Sequence, residues 1–570
     1  MDFERSGTEV NHERLDDLRT GQGPIQEHVI DEFVAGNLSR RDFLRRGTAV
    51  GLSLPLLGGI LKASGQPGLR TSVRPSVSNA AGGTITAGIL VPTGAINPLT
   101  IADQGGLEVL GNVGEFLVLA DQHLNYQPWI ATSWKANANA SVWTFKIRKG
   151  VKFNDGTPMT IDDVVYSFKS QCDPKNSGTA LSVFSGNLVP DGVVKVDEST
   201  IAFHLEEPNG SFIDAVSCDN YNMIIVPNGY DYANYQKEFV GTGHFKMLKY
   251  NAETGATFVR NPHYWGKAAL PAKVQFTFYP SETSMASALE ARQIDCMDQF
   301  TVATSPQLLG GAYKIINLKS SAHRELSMRC DLHPFTSKYV RQAMGYLLDR
   351  PALVKGLFKG YAAIGNDSPF ASAFPSSVGP PAVAQRAQNL KKAKQLLAQG
   401  GVPRGFTAQF ITEQRQEMPL VAQAIKGWAN QIGVTIDLTI EAPNKYYGSG
   451  FGKSDWLDGE MSMVDYGARS VPNLFLEAPL QTINKKTGAG EWNAARFNNA
   501  TYDKLSKEFV AAVDISTQRS LAKQIELLLL DQTPIIFPYF YNYLSATQKN
   551  VSGVYPTALS QFFLWNAAKS

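Results

Sequence analysis

The chain has 570 residues, 43% hydrophobic and 18% charged, a globular balance that supplies core for two or three domains and excludes a single small module. Lysine and arginine number 53 against 51 aspartate and glutamate. Residues 1–80 hold ten of each sign, so the remainder keeps the overall +2, and no basic field of the kind that holds nucleic acid is present.

Residues 1–38 are polar and mixed in charge. Ser39, Arg40, Arg41, Asp42, Phe43, Leu44 and Arg45 follow, and then the apolar stretch from Gly47 to Leu61. That stretch is shorter than the roughly 20 residues of a membrane-spanning helix, which argues against a permanent anchor. The combination resembles a twin-arginine export signal, carried by Ser39, Arg40, Arg41, Phe43 and Leu44. It implies passage of the folded chain through the twin-arginine machinery to a periplasmic or extracytoplasmic destination. Small-residue cleavage sites at Leu61-Lys62-Ala63 and Ser78-Asn79-Ala80 put the mature start between residues 64 and 81. No cysteine lies in that interval, so the mature protein is not expected to be lipid-anchored.

Residues 62–83, rich in Gly, Ser, Pro and Ala, read as a tether, and the folded body begins near Gly83. Thr84–Leu90 alternates as a strand, and Asn97-Pro98-Leu99 turns the chain toward a helix ending near Leu119. From Val142 to Ile147 the side chains alternate with period two, and Asn154-Asp155-Gly156 supplies a turn. Thr160 with Asp163 then caps a helix carrying Val164, Val165 and Phe168. Val340, Ala343, Met344 and Leu347 share one helix face, which is core packing. Strands and helices interleave to the end, the pattern of an α/β protein.

Cys172, Cys218, Cys296 and Cys330 form no CxxC pair, and no two of the eight histidines have helix-face spacing, so no metal site is expected. One disulfide suits an exported chain, and Cys172 with Cys218 is the pairing expected. No GxSxG elbow, HExxH or Walker loop occurs, so an exported enzyme would need an unrecognised site.

Several ordered blocks carry a family resemblance. They are Gln127-Pro128-Trp129 through Trp134, Phe145-Lys146-Ile147-Arg148-Lys149-Gly150-Val151 to Pro158, and Asp162-Asp163-Val164 to Phe168. Farther on come Gly241-Thr242-Gly243, Arg260-Asn261-Pro262-His263-Tyr264-Trp265-Gly266, Ala288 to Asp295, Val340 to Val354 and Ala393 to Leu397. Together they resemble family 5 extracytoplasmic solute-binding proteins, the peptide, opine and nickel receptors of ABC importers.

The resemblance implies an α/β, two-lobed periplasmic-binding-protein fold of class II, dipeptide/oligopeptide-binding-like, with an extra subdomain in lobe I. Residues 1–80 would form the N-region, signal and linker. Residues 81–320 with 525–570 would form lobe I, its inserted subdomain at about 120–240, and 321–524 lobe II. Two crossings between the lobes would act as a hinge closing on a small solute, most simply a peptide or a peptide-like or opine-like compound. A permease and ATPase complex would be the partner, and the receptor a monomer without cofactor. Nickel or haem as cargo finds no placed histidine pair.

Ligand contacts are expected in three places. Glu115, in the segment Gly114 to Leu117, could bond a ligand amine. In lobe II the strand containing Val464, Asp465 and Tyr466 leads to Ala468, where the family's amine-binding carboxylate should stand. A buried ammonium cannot be anchored there by Ala468, so either Asp465 takes the role or the ligand is not a standard peptide. Arg469 is suited to an acidic group. Tyr446, Tyr447, Trp492 and Asn493 are further pocket candidates.

Overall fold

The computed structural model describes residues 24–35, 82–484, 489–559 and 561–570, together with 38–39, 43, 57, 60–61 and 63–64. Arg40, Arg41 and Leu44, and the cleavage positions at Ser78 to Ala80, lie outside the described residues. The chain divides into two units, Met1–Ser78 and Asn79–Ser570. In the first, the helix Pro24–Val34 turns Val29, Ile30 and Phe33 into a small apolar cluster with Phe43, Leu57, Ile60 and Leu61, and the Phe33 and Phe43 rings stack at 4.1 Å. Among the described residues no helix is long and apolar enough to cross a membrane.

The second unit is built on two large mixed sheets. The first runs in the order Lys314–Leu318, Tyr543–Thr547, Cys296–Phe300, Thr84–Leu90, Lys273–Tyr279, Gly255–Arg260 and Phe245–Asn251. Thr84–Leu90 lies parallel to both Lys273–Tyr279 and Cys296–Phe300, and its alternation seats Ile85, Ala87 and Ile89 in the core. Beside this sheet a four-stranded antiparallel sheet, Ala131–Ala136, Val142–Ile147, Thr200–His204 and Val193–Asp197, carries the helix Ile161–Cys172. The predicted period-two pattern there is real: Trp143, Phe145 and Ile147 are buried while Lys146 points out. The predicted cap is also present, with Asp163 accepting from the Thr160 backbone N–H and hydroxyl.

The second large sheet runs Ala362–Ile364, Tyr539–Tyr541, His323–Met328, Met461–Tyr466, Thr407–Glu413 and Thr435–Glu441, with Ile535–Ile536 also paired to His323–Met328. Thr407–Glu413 is parallel to both Thr435–Glu441 and Met461–Tyr466. Val340, Ala343, Met344 and Leu347 are fully buried against this sheet, as their spacing predicts.

Three expectations are corrected. The first helix ends at Val113 rather than near Leu119, because Val118–Ala120 pairs with Tyr126–Pro128 as a strand. The return to the first sheet does not begin at residue 525: helix Ile515–Gln532 and strands Ile535–Ile536 and Tyr539–Tyr541 stay with the second sheet. The apolar run from Ile535 to Tyr539 is long enough to fill its core, so the return waits until Asn542. Finally, Cys172 and Cys218 are separate buried free thiols, and Cys218 Sγ accepts from the Ala120 backbone N–H at 3.2 Å.

Candidate ligand-binding cleft

The two sheets are joined at 319–322 and at Asn542, and the strand register fixes what surrounds those joints. Leu318 pairs with Tyr543 at one end of the first sheet, and His323 pairs with Tyr466 and Phe540 at one end of the second. Phe300 and Glu413 end parallel strands toward the same region, as does Tyr466. The loops that follow, 301–305 from one lobe and 414–417 and 467–472 from the other, therefore border the crossings. Carboxyl ends of parallel strands are where α/β sheets offer ligands their crevice. Thr301, Val302 and Ala303 indeed share a cavity with Gln416, Glu417, Tyr541 and Asn542.

A charge network lies at the second-lobe side of this region. Arg324, wholly buried, forms an ion pair with Asp465, places Nε 2.9 Å from Glu417 Oε1 and donates from Nη2 to Gln416 Oε1 at 2.7 Å. The Tyr541 ring lies under the guanidinium at 4.5 Å. The Tyr541 hydroxyl donates to Asp465 Oδ1 at 2.9 Å, and the Tyr539 hydroxyl to Glu417 Oε1 at 2.7 Å. Burial works against the Arg324 charge, but Asp465 and Glu417 hold its proton more tightly than usual. Arg415, half-exposed, reaches the other Asp465 oxygen at 3.1 Å.

The predicted contacts separate into two groups. Glu115 is buried inside the first lobe, where Trp129 Nε1 and the Tyr264 hydroxyl donate to Oε1 at 2.7 and 2.9 Å and Trp265 Nε1 donates to Oε2 at 2.9 Å. Burial pushes its carboxyl up to about 7 while the three ring donors pull the other way. Buried in the lobe interior and holding three ring donors, it is not presented to a ligand amine, so its expected role is corrected: it ties the Tyr264-Trp265 block to the chain near Trp129. Tyr446 is likewise structural, buried with its hydroxyl on the Met463 carbonyl at 2.7 Å. Asn493 is buried and braces a turn through the Gln481 and Phe497 carbonyls and the Phe497 N–H. Val464 is core.

The other group borders the crossings. Asp465 is there, its charge already shared by two arginines. Tyr466 stacks on His323 at 5.6 Å and packs with Trp492 in a cluster that includes Leu124 of the first lobe. Tyr447 is 38% exposed and donates to Glu413 Oε1 at 2.7 Å, at the end of a parallel strand. Arg469 is exposed, its guanidinium donating to the Ala468 carbonyl at 2.9 Å. Its backbone is pinned to the first crossing: its N–H donates to Ser321 Oγ at 2.8 Å, and Ser321 Oγ donates to its carbonyl at 2.6 Å.

Sequence reasoning missed Arg324, Arg415, Glu417 and Tyr541. The signal for Arg324 was present: His323-Arg324-Glu325 opens a strand whose six residues are all buried, and buried charges come paired.

Two α/β lobes whose strand ends meet around a double crossing, with charged and aromatic side chains gathered there, have the architecture of a solute-binding protein. The family model for "Bacterial extracellular solute-binding proteins, family 5 Middle" matches residues 125–487, and the chain belongs to that family. It is similar to heme-binding protein A of Haemophilus influenzae, 26% identical over 457 residues covering 72% of this chain and 78% of that protein. It is also 26% identical to the dipeptide-binding protein DppE of Bacillus subtilis over 480 residues, 78% of this chain and 84% of that one. Among solved structures, HbpA2 from Haemophilus parasuis superposes with a TM-score of 0.74 at 21% identity, over 85% of this chain and all of that one.

Proposed function

We propose that this chain is the extracytoplasmic receptor of an ABC importer, exported by the twin-arginine route, which closes as a monomer on a peptide or a peptide-like or opine-like compound. It then hands that compound to the permease and ATPase complex. The observation that carries this reading is Arg469, whose backbone is pinned to the crossing by Ser321 and whose exposed guanidinium exerts its charge on Asp214 of the other lobe. A fork of donors on one lobe, with carboxylates opposite, suits a solute bearing both an acidic group and an amine. Because the contacts come from both lobes, binding selects the closed form.

His323, the histidine beside the crossings, does not support metal or haem cargo: its ring nitrogens lie 2.7 Å from the Ser321 carbonyl and 3.1 Å from Glu325 Oε1. The similarity to a heme-binding protein remains a fact about that relative.

A thermal-shift panel of peptides, opines and sugar acids tests the reading. A ligand at 100 times its dissociation constant adds about 2.7 kcal/mol to stability. Arg469→Ala should abolish the shift while leaving the melting of the unliganded protein unchanged. A shift preserved in Arg469→Ala removes that residue from the site, and no shift with any compound class removes the peptide-like reading.

A further inference from the structure

The seam between the lobes holds a second set of groups that the Arg324 network does not touch. Asp214 begins the short helical turn Asp214–Val216, and Asp219 follows it closely in the chain. Ser470, one residue past Arg469, reaches across from the second lobe and donates its hydroxyl to Asp214 Oδ1. Tyr126, at the start of the strand Tyr126–Pro128, lies beside both carboxylates. Cys218 Sγ is 3.8 Å from Asp219 Oδ1.

This arrangement is frustrated by ordinary standards. Two carboxyls are drawn out of water together, and like charges in that setting oppose each other's ionisation. Burial pushes Asp214 up to about 7, with Arg469 pulling it back, and burial also pushes Asp219 well above the usual carboxylate range, with Asp214 adding to the effect. Asp121, in the neighbouring hairpin, adds a third negative charge facing Asp219. Besides, the Tyr126 hydroxyl and the outer Asp219 oxygen are both buried without a hydrogen-bond partner. Buried polar atoms left unpaired are uncommon, and those that occur call for a missing partner. A partner that donates hydrogen bonds and carries positive charge would satisfy the carboxyls and the phenol oxygen together. The nearby cation, Arg469, points its Nη1 at its own Ala468 carbonyl instead.

We propose that Asp214, Asp219 and Tyr126 form the subsite for a cationic nitrogen of the ligand, a primary or secondary ammonium. The inference rests on the solute-binding reading above and adds to it the lobe and residues that take the amine. An ammonium offers donors to match the two carboxylates and the phenol oxygen. Ser470 completes the ring from the opposite lobe, so the subsite is whole only when the lobes are closed. Arg469, one residue before Ser470, then takes the acidic group of the same molecule. The amine is thus held by the first lobe, which accounts for a second lobe that has Ala468 at the expected position and an Asp465 already paired.

Native mass spectrometry at pH 8 with two pools of tripeptides of mixed sequence, one with free amines and one N-acetylated, tests this. The wild-type protein should retain the free-amine pool and hold the acetylated pool about tenfold more weakly. Asp219→Asn should lose free-amine retention by about the same factor. It should also melt, unliganded, at the same or a higher temperature, because one of two opposed carboxylates is gone. A merely structural aspartate would instead lower the melting temperature. Asp214→Asn provides the same comparison if the first variant folds poorly. Equal retention of both pools, or wild-type retention by both variants, overturns the cation subsite and leaves the solute-binding reading standing. Retention of neither pool by any of the three proteins overturns both.

Discussion

Arg324 and Asp465 face each other as direct partners in antiparallel strands and form an ion pair in which the arginine is wholly buried. Removing one member of such a pair leaves a charge without compensation, at a cost of about 3–5 kcal/mol. Arg324→Ala strands both Asp465 and Glu417 and is expected to lower unfolding stability by about that amount. Asp465→Asn should cost less, because Glu417 still holds the guanidinium. Urea denaturation of the two variants checks the order.

Glu115 should behave as a structural residue. In Glu115→Gln an amide N–H₂ replaces one acceptor among three ring donors, so one buried donor is left facing another. The expected loss is about 1–3 kcal/mol of stability with unchanged affinity for whatever compound the thermal-shift panel identifies. Weakened affinity at unchanged stability would return Glu115 to the binding site.

Stability should fall as the solution becomes more alkaline. Burial raises Glu115, Glu477 and Glu526 from 4.5 to about 7. Between those values the folded protein holds protons that the unfolded chain has released, so the unfolding free energy decreases with rising pH across that window. The unliganded protein should melt higher at pH 5.5 than at pH 8. Glu526→Gln, which removes one of the three groups, should narrow the gap; an unchanged gap would show that Glu526 does not titrate in this range.

Gly210 touches the second lobe with its backbone. Its N–H donates to the Val510 carbonyl at 2.7 Å, and a Cβ there would run into the Ala512 carbonyl. Gly210→Ala should hold the lobes apart, increase the radius of gyration in small-angle scattering, and weaken ligand binding by about tenfold or more while each lobe stays folded. Compactness equal to that of the wild type would show that the seam can yield at this point.

The proposed export signal is testable without any ligand. Changing Arg40 and Arg41 together to lysine should leave precursor in the cytoplasm, seen by fractionation and immunoblotting. Normal release would remove the twin-arginine route.

The sequence made local matters legible. The period-two run from Val142 to Ile147 and the Thr160–Asp163 cap needed only neighbouring residues, and both are present. Glu115 was misread because its partners Tyr264 and Trp265 lie about 150 residues away, and a lone carboxylate looks the same whether it meets a ligand or an indole. The Arg324–Asp465 pair spans 141 residues and was invisible for the same reason. Asp465 lies beside the crossings, but its pairing with Arg324 depends on a residue that far away in the chain. The second crossing was put too early because nothing in helix Ile515–Gln532 says which sheet it will cover.

Asn542 has a consequence for how this chain can vary. It is the one residue between Tyr541, which pairs in the second sheet, and Tyr543, which pairs in the first, and its side chain donates to Asn317 Oδ1 at 2.7 Å. With no slack on either side, a single inserted or deleted residue cannot be absorbed as a loop. It must slip one strand by a position and turn that strand's faces inside out. Tyr541 would leave Arg324, or Tyr543 would leave the first core. The joint on which the lobes would swing is therefore also the place where chain length is fixed most tightly.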